Sequence, residues 1–436
     1  MLYTGSALGR DRTFEQTQKK SADTSIPNNL IELPIRIIGE SDGNLSDDDI
    51  ILFYGRGPSG FNEENDEIMW QQNLYFKESV YWLLIPSNNS LRGSRVETSN
   101  LVTESSEKIT YGISYIHYEN DLINPRESGL SWGDKIIERG NSYSFNINIP
   151  FPVKSNDVDG KIGMIGNEKV PTAYQNTKHK ILFSSNDQEL TTMDWPNLNH
   201  KSKSFSFNSD IINNDNQSFN IRNTSENPNS EPLFDYFNVS YHRTLEYSEP
   251  FYFYSPFKSK KITFVLTGND LFIWNISNPS NPKNLPLNSF ENSITMNIDL
   301  PSDNYQKFGV FRFNDVESLS KLTFVGPKKW NQLRTNSNGV DHIILGPEEF
   351  EIQSQQLVNH RDNSIYVSIE TIYDEFSAGN KDPIAIRHFL NWTQNNWLIK
   401  PFTVLFMGDA DYDYRNITGQ SIIKVPTIQV GTRYSH

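Results

Sequence analysis

The 436-residue chain has no cysteine. Disulfides, thiolate metal sites and a cysteine nucleophile are therefore excluded within these residues, although this alone assigns no compartment. A run of about 18 apolar residues is also missing, so no transmembrane helix is encoded. Residues 1–20 contain no apolar stretch of signal-peptide length. Positive charge is in the minority: 39 Lys and Arg face 53 Asp and Glu, a formal net charge of −14. That balance argues against nucleic acid as a partner. The eight histidines, at 117, 179, 200, 242, 342, 360, 388 and 436, never show the i, i+4 spacing of a helical zinc site. Each reads as a surface or satisfied core residue. No Walker A motif is present, and neither a dinucleotide-binding loop nor a GxSxG nucleophile elbow is read in the chain. GRGPSG at residues 55–60 follows a strand with no helix after it, and reads as a tight turn.

What is present is aromatic. Eight Trp, 20 Tyr and 27 Phe exclude a disordered chain and imply a core built on rings. The length suggests two to four domains at roughly 150 residues each. Up to about residue 330 the chain reads as short strands flanked by Gly, Pro, Asn, Asp and Ser, among them residues 50–54, 80–85, 109–117, 142–149, 261–267 and 321–325. Alternation in SYSFNINI puts Tyr143, Phe145, Ile147 and Ile149 on one face, as in a half-buried antiparallel strand. The Asn- and Ser-rich residues 207–232 read as a surface loop or interdomain segment, and residues 150–169 as another boundary. The expected division is a β-rich domain over 1–160, a second sandwich-like domain over 161–335, and an α/β segment over 341–436.

In that last segment the pattern changes. DHIIL (341–345) reads as a strand, and Pro347 with Glu348 and Glu349 opens a helix on which Phe350, Ile352 and Leu357 form a partial apolar stripe. SIYVSIE (364–370) is a second strand. Asp382 and Pro383 start a second helix, with Ile384, Ile386, Phe389, Leu390 and Trp397 on its buried side. PFTVLFM (401–407) is apolar enough for a central strand buried on both faces. The alternation implies a parallel sheet, whose ligands gather beyond the strands' carboxyl ends. GDADYDYRN (408–416) falls there. Its alternating Asp409, Asp411 and Asp413 do not make an EF-hand, because Tyr414 and Gln420 stand where Gly and Glu are required. Two readings stay open: a structural cation such as calcium, or a turn whose carboxylates cap backbone amides. No other cofactor is expected.

Four motifs carry a resemblance: GPEEF (346–350), IYDEFSAG (372–379), DPIAIRHFL (382–390) and VLFMGDADYDYRN (404–416). In this order they resemble the opening of the gingipain-type cysteine peptidase domain, in the branch of type IX secretion sortases (PorU-type). ILFYGRGPSG (51–60), NPRESGLSWGD (124–134) and IWNISNPSNP (273–282) look like the β-rich region that precedes that domain. Asp411 stands where Ser is usual in the family, and Ala410 where Gly is common. The resemblance implies a caspase-like α/β fold, and a secreted or outer-membrane-associated protein acting on protein or peptide substrates. Type IX secretion components and a surface glycolipid would be partners. It implies a Cys/His mechanism whose residues lie downstream of His436, so the chain is expected to be an N-terminal portion that is inactive by itself. Asp409, Asp413 and Arg415 are expected to be scaffold at the edge of the site. Asp409 would accept amides of its own turn or pair with Arg415. The alternative is a non-catalytic surface β-sandwich protein, for binding or adhesion, with a relic peptidase segment.

Overall fold

The structure, a computed structural model, describes residues 1–4, 30–43, 46–85, 92–125, 127, 131–170, 177–213, 216–319, 322–326 and 332–428. His436, Gln429 and parts of the NPRESGLSWGD run lie outside the described residues.

A nine-stranded antiparallel sheet organises the β-rich region. Along its path run His200–Asn208, Asp157–Ile165, Leu233–Thr244, Tyr111–Glu119, Phe251–Tyr254, Lys307–Phe311, Phe272–Asn275 and Lys283–Asn284; Lys135–Ile136 pairs with Leu233–Thr244 off it. One end shares a hydrophobic cluster with a four-stranded sheet ordered Ser142–Asn148, Asn216–Asn223, Lys178–Ser185, Gln188–Pro196. This is where the aromatic composition is used. Phe145, Phe183, Phe219 and Phe237 interlock, with Phe183 and Phe219 stacked 5.6 Å apart. The other end builds a second cluster, around Phe253, Phe264 and Phe308, with a sheet ordered Asn288–Phe290, Ser293–Asp299, Lys261–Thr267, Lys108–Ile109. The two sandwiches thus share one sheet. Its halves meet at Tyr254 opposite Ile113, the sole register pair between Phe251–Tyr254 and Tyr111–Glu119.

The alternation in SYSFNINI holds: Phe145, Ile147 and Ile149 are buried in the first cluster. The expected boundaries need correction. Residue 160 and the 150–169 stretch fall on Asp157–Ile165, an interior strand paired on both edges. The supposed loop at 207–232 contains Asn216–Asn223, a strand paired on both sides whose Gln217, Phe219, Ile221 and Asn223 all point inward. Asn216, Ser218 and Asn220 occupy the other face, so composition hid a period-two strand. Of the expected strand at 321–325, residue 321 lies outside the described residues and 322–325 form no strand.

In the α/β segment three parallel strands lie in the order Ser364–Ser368, His342–Gly346, Thr403–Phe406. His342–Gly346 is therefore central, and its Ile343, Ile344 and Leu345 are buried. PFTVLFM is not. Among the described residues its strand pairs only with His342–Gly346, and Leu405 and Phe406 are each 44% exposed and Phe402 71% exposed. The second strand ends at Ser368, and IYDEFS forms an unexpected helix, Ile369–Ser377, with Ser368 accepting from the Thr371 amide at its start. Pro347 leads into a 3-10 turn, Glu348–Phe350, and then the helix Glu351–His360. Ile352 is 80% exposed there, so the expected apolar stripe fails at that position. The helix Ile384–Asn396 starts as the Asp-Pro pair predicts: the Ile384 amide donates to Asp382 Oδ1 at 2.9 Å. Among the described residues no helix is long and apolar enough to cross a membrane.

Candidate functional site

The loop after Thr403–Phe406 sits at the carboxyl end of the parallel strands, and its residues 411–414 point alternately to two sides. Gly408 makes the turn at φ 131°, where a Cβ would lie 2.6 Å from Lys424 Cβ. Asp413 is buried and holds the loop's own backbone. Its carboxylate accepts from the amides of Ile417 and Thr418, each at 2.8 Å, and from the Thr418 hydroxyl at 2.9 Å. Its own amide donates to Asp411 Oδ1 at 3.0 Å. The residues on either side reach across to the β-rich region instead. Tyr412 stacks on Trp132, with centroids 6.0 Å apart, and Tyr414 leans on Tyr75 at 5.1 Å. Arg415 pairs with the carboxylate of Asp121, and both side chains are nearly buried.

The expectation for Asp409 is therefore corrected. Its side chain is exposed and makes no hydrogen bond among the described residues; only its carbonyl works, accepting from the amides of Lys424 and Val425. Asp413 takes the turn-capping role, and Arg415 pairs outside the loop rather than within it. No group of three metal-ligating side chains is found among the described residues.

IYDEFSAGN is equally structural. Buried Glu375 accepts from the amides of Leu333 and Arg334, at 2.9 and 3.2 Å, capping the short helix Gln332–Thr335. Burial raises its pKa, and these amides, with Arg334, oppose the rise. Arg334 lies over the Phe376 ring at 4.4 Å. The motif then closes on Ala378, left-handed at φ 53°, and Gly379 at φ 86°. A Cβ at Gly379 would sit 2.9 Å from the Trp82 ring. Trp82 donates to the Ala378 carbonyl at 2.9 Å, and the Val80 amide donates to Asn380 Oδ1 at 2.9 Å. Two motifs of the α/β segment thus end in contacts with the β-rich region.

Asp121 also borders a cavity of about 1130 Å³. Its floor is the face of the nine-stranded sheet turned away from the first core, and the hairpin Gly60–Glu64/Glu67–Gln71 contributes a wall. Trp70 from the hairpin stacks on His117 at 4.0 Å, and Phe61 packs on Tyr115 at 5.3 Å. His117 is held between Asn238 at 2.6 Å and Glu119 at 2.8 Å. Asp235 is the extra residue of a β-bulge: Gly163 faces Tyr236, whereas Met164 faces Phe234. It accepts no hydrogen bond among the described residues, and His200 Nδ1 lies 3.8 Å from its Oδ2. Burial, then the charge of Asp121, raises Asp235 to about 7, with His117 opposing. Asp121 itself rises to about 6 through burial and Glu119, against the pull of Arg415.

None of Asp121, Trp132 and Tyr75 was singled out from the sequence. The one available signal was the outward series Tyr115, His117, Glu119, which continues with the same period to Asp121.

Residues 335–435 match the family model described as Peptidase family C25. The fold matches the crystal structure of dimeric latent PorU from Porphyromonas gingivalis with a TM-score of 0.73 and 14% identity, over 95% of this chain and 39% of that one. The chain thus spans well under half the length of that structure. A CBM36-1 domain of a multidomain xylanase, from the hindgut metagenome of Trinervitermes trinervoides, aligns over 29% of this chain and 95% of its own, at 11% identity and a TM-score of 0.21. A CBM36 module in complex with calcium and xylotriose aligns over 29% and 98%, at 6% identity and the same score. Likenesses that weak carry no argument. No curated protein matches.

Proposed function

We propose that this chain, with a peptidase family C25 segment on a PorU-like fold, is the N-terminal portion of a cell-surface cysteine peptidase or type IX secretion sortase. The supporting observation is the loop at 408–418. It lies where sites assemble on a parallel sheet, and it is fixed on one side by Asp413 and on the other by Tyr412, Tyr414 and Arg415. A loop held from both sides can position a neighbouring reactive group without reacting itself. Asp413 and Arg415 are positioning residues in this reading, and Asp409 presents an exposed carboxylate at the edge. A histidine outside this chain takes the proton of a cysteine thiol, also outside it. The thiolate attacks a peptide carbonyl, the C–N bond breaks, the amine leaves with the histidine's proton, and a thioester remains. Water then releases the acyl group in proteolysis. In transpeptidation a glycolipid amine takes it, separating cargo from its C-terminal secretion signal.

The test is to read the gene beyond codon 436 and express the extended protein. An in-frame Cys and His, with thiol-dependent cleavage or transfer of a peptide that Cys→Ala abolishes, is the expected result. An immediate stop codon, or an extended protein whose activity survives that substitution, overturns the proposal in favour of a non-catalytic surface protein or another chemistry.

A further inference from the structure

The cavity on the nine-stranded sheet has no part in the peptidase reading. Its walls carry the rings of Phe61, Trp70, Tyr115 and Tyr236, drawn from the hairpin and from two strands of the sheet. Its lining is strongly asymmetric in charge. Asp66, Glu67, Glu119, Asp121, Asp159 and Asp235 face two permanent cations, Lys161 and Arg415, with His117 and His200 as the remaining titratable bases. Several of these carboxylates are matched: Asp121 by Arg415, Glu119 by His117, Asp66 by Lys258 and Asp159 by the Ser206 hydroxyl. Asp235 is not. The bulge turns it into the cavity with a histidine 3.8 Å away and no hydrogen-bond donor among the described residues.

We propose that this aromatic-walled cavity is a docking site for a basic polypeptide segment, whose guanidinium or ammonium groups lie over the ring faces and against the carboxylate floor. Ring faces and carboxylates attract the same groups, because a cation gains from the ring quadrupole and from the negative charge together. A single metal ion is a poor fit: no three ligating side chains converge among the described residues, and about 1130 Å³ far exceeds an ion's needs. A neutral sugar could stack on the rings but would leave the charge excess uncompensated. Burial first and a neighbouring carboxylate second raise Asp121 and Asp235; an arriving cation favours their charged forms, so binding releases protons from them. Affinity therefore rises with pH across the range where those two groups titrate. The other titratable and charged groups facing the cavity include His117, His200, Lys161 and Arg415.

The test titrates the 436-residue chain into a fluorescein-labelled tetra-arginine peptide at pH 8 and low salt, followed by anisotropy. Asp235→Asn and Trp70→Ala should each weaken saturable binding at least fivefold, and lowering the pH to 6 should do the same to the unaltered chain. Lys161→Gln should tighten it at least threefold, a gain that misfolding cannot produce. Glu291→Gln, which removes an acidic charge outside the cavity, should leave it unchanged. The proposal fails if no saturable binding occurs, or if Asp235→Asn and Lys161→Gln bind as the unaltered chain does. It fails equally if a labelled tetra-glutamate peptide binds as tightly, or if neutral xylohexaose displaces the arginine peptide. The last result would make the cavity a sugar site.

Discussion

The β-rich region and the α/β segment solve the same packing problem differently. In the former, one sheet backs two others, and the large rings are sealed between layers. In the latter, a three-stranded sheet leaves Phe402, Leu405 and Phe406 exposed beside its edge strand. Its cluster around Ile343, Leu345, Phe376 and Phe389 is compact, yet two of its motifs finish in contacts with the neighbouring region. The β-rich region is thus organised around its own cores, whereas the α/β segment has one face finished by a neighbour and, among the described residues, an uncovered strand edge. An open apolar strand edge is also a hazard for aggregation.

The sharpest way to break this contrast is to attack a sealed core. Phe237→Ala removes a ring packed on Phe183 and Phe219, and should destabilise the β-rich region by about 3–5 kcal/mol. Chemical unfolding followed by tryptophan fluorescence measures it; a loss below about 1 kcal/mol would mean that the core readjusts freely.

Asp413→Asn is expected to have a smaller, local effect. It weakens three hydrogen bonds to a buried carboxylate and should cost about 1–3 kcal/mol. Limited proteolysis should then cut within 408–428 sooner, while the nine-stranded sheet keeps its protection. Asp409→Asn, at an exposed side chain, should leave the cleavage pattern unchanged. Equal acceleration in both regions would show that the seam carries more of the fold than its contacts suggest.

The smallest effect has the opposite sign. Asp235 is raised to about 7 in the fold, against about 4 in an unfolded chain. Between those values the unfolded chain releases a proton that the native state keeps, so this group's contribution to stability falls as pH rises through the window. Asp235→Asn should therefore raise the melting temperature at pH 8, by an amount equivalent to about 1–2 kcal/mol, and change it little at pH 4. A lower melting temperature at pH 8 would mean that the carboxylate already has a partner.

These sites also mark how far the residues could be read. Strands such as Ser142–Asn148 were legible because apolar and polar positions alternate cleanly. Asn216–Asn223 has the same alternation, but Gln217 and Asn223 occupy two of its inward positions, and a polar composition outweighed the period. PFTVLFM was misplaced for the converse reason: apolarity alone does not distinguish a central strand from an edge strand. In the candidate site, the loop and its carboxylates were visible as a motif. Which aspartate caps the turn was not, because Asp409, Asp411 and Asp413 differ only in how the loop folds back. The partner of Arg415 lies 294 positions away, beyond the reach of local spacing.

The alternating loop at 411–414 has a consequence for how such a chain can vary over generations. From 411 to 414 odd and even positions answer to different neighbours, one set to the loop itself and the other to a distant surface that Arg415 also reaches. Replacing one side chain disturbs one neighbour. Inserting or deleting a single residue exchanges the two sets, pointing aromatic rings at backbone amides and a carboxylate at tryptophan. Drift at this place should therefore proceed by substitution at constant length, with gaps accumulating elsewhere in the chain.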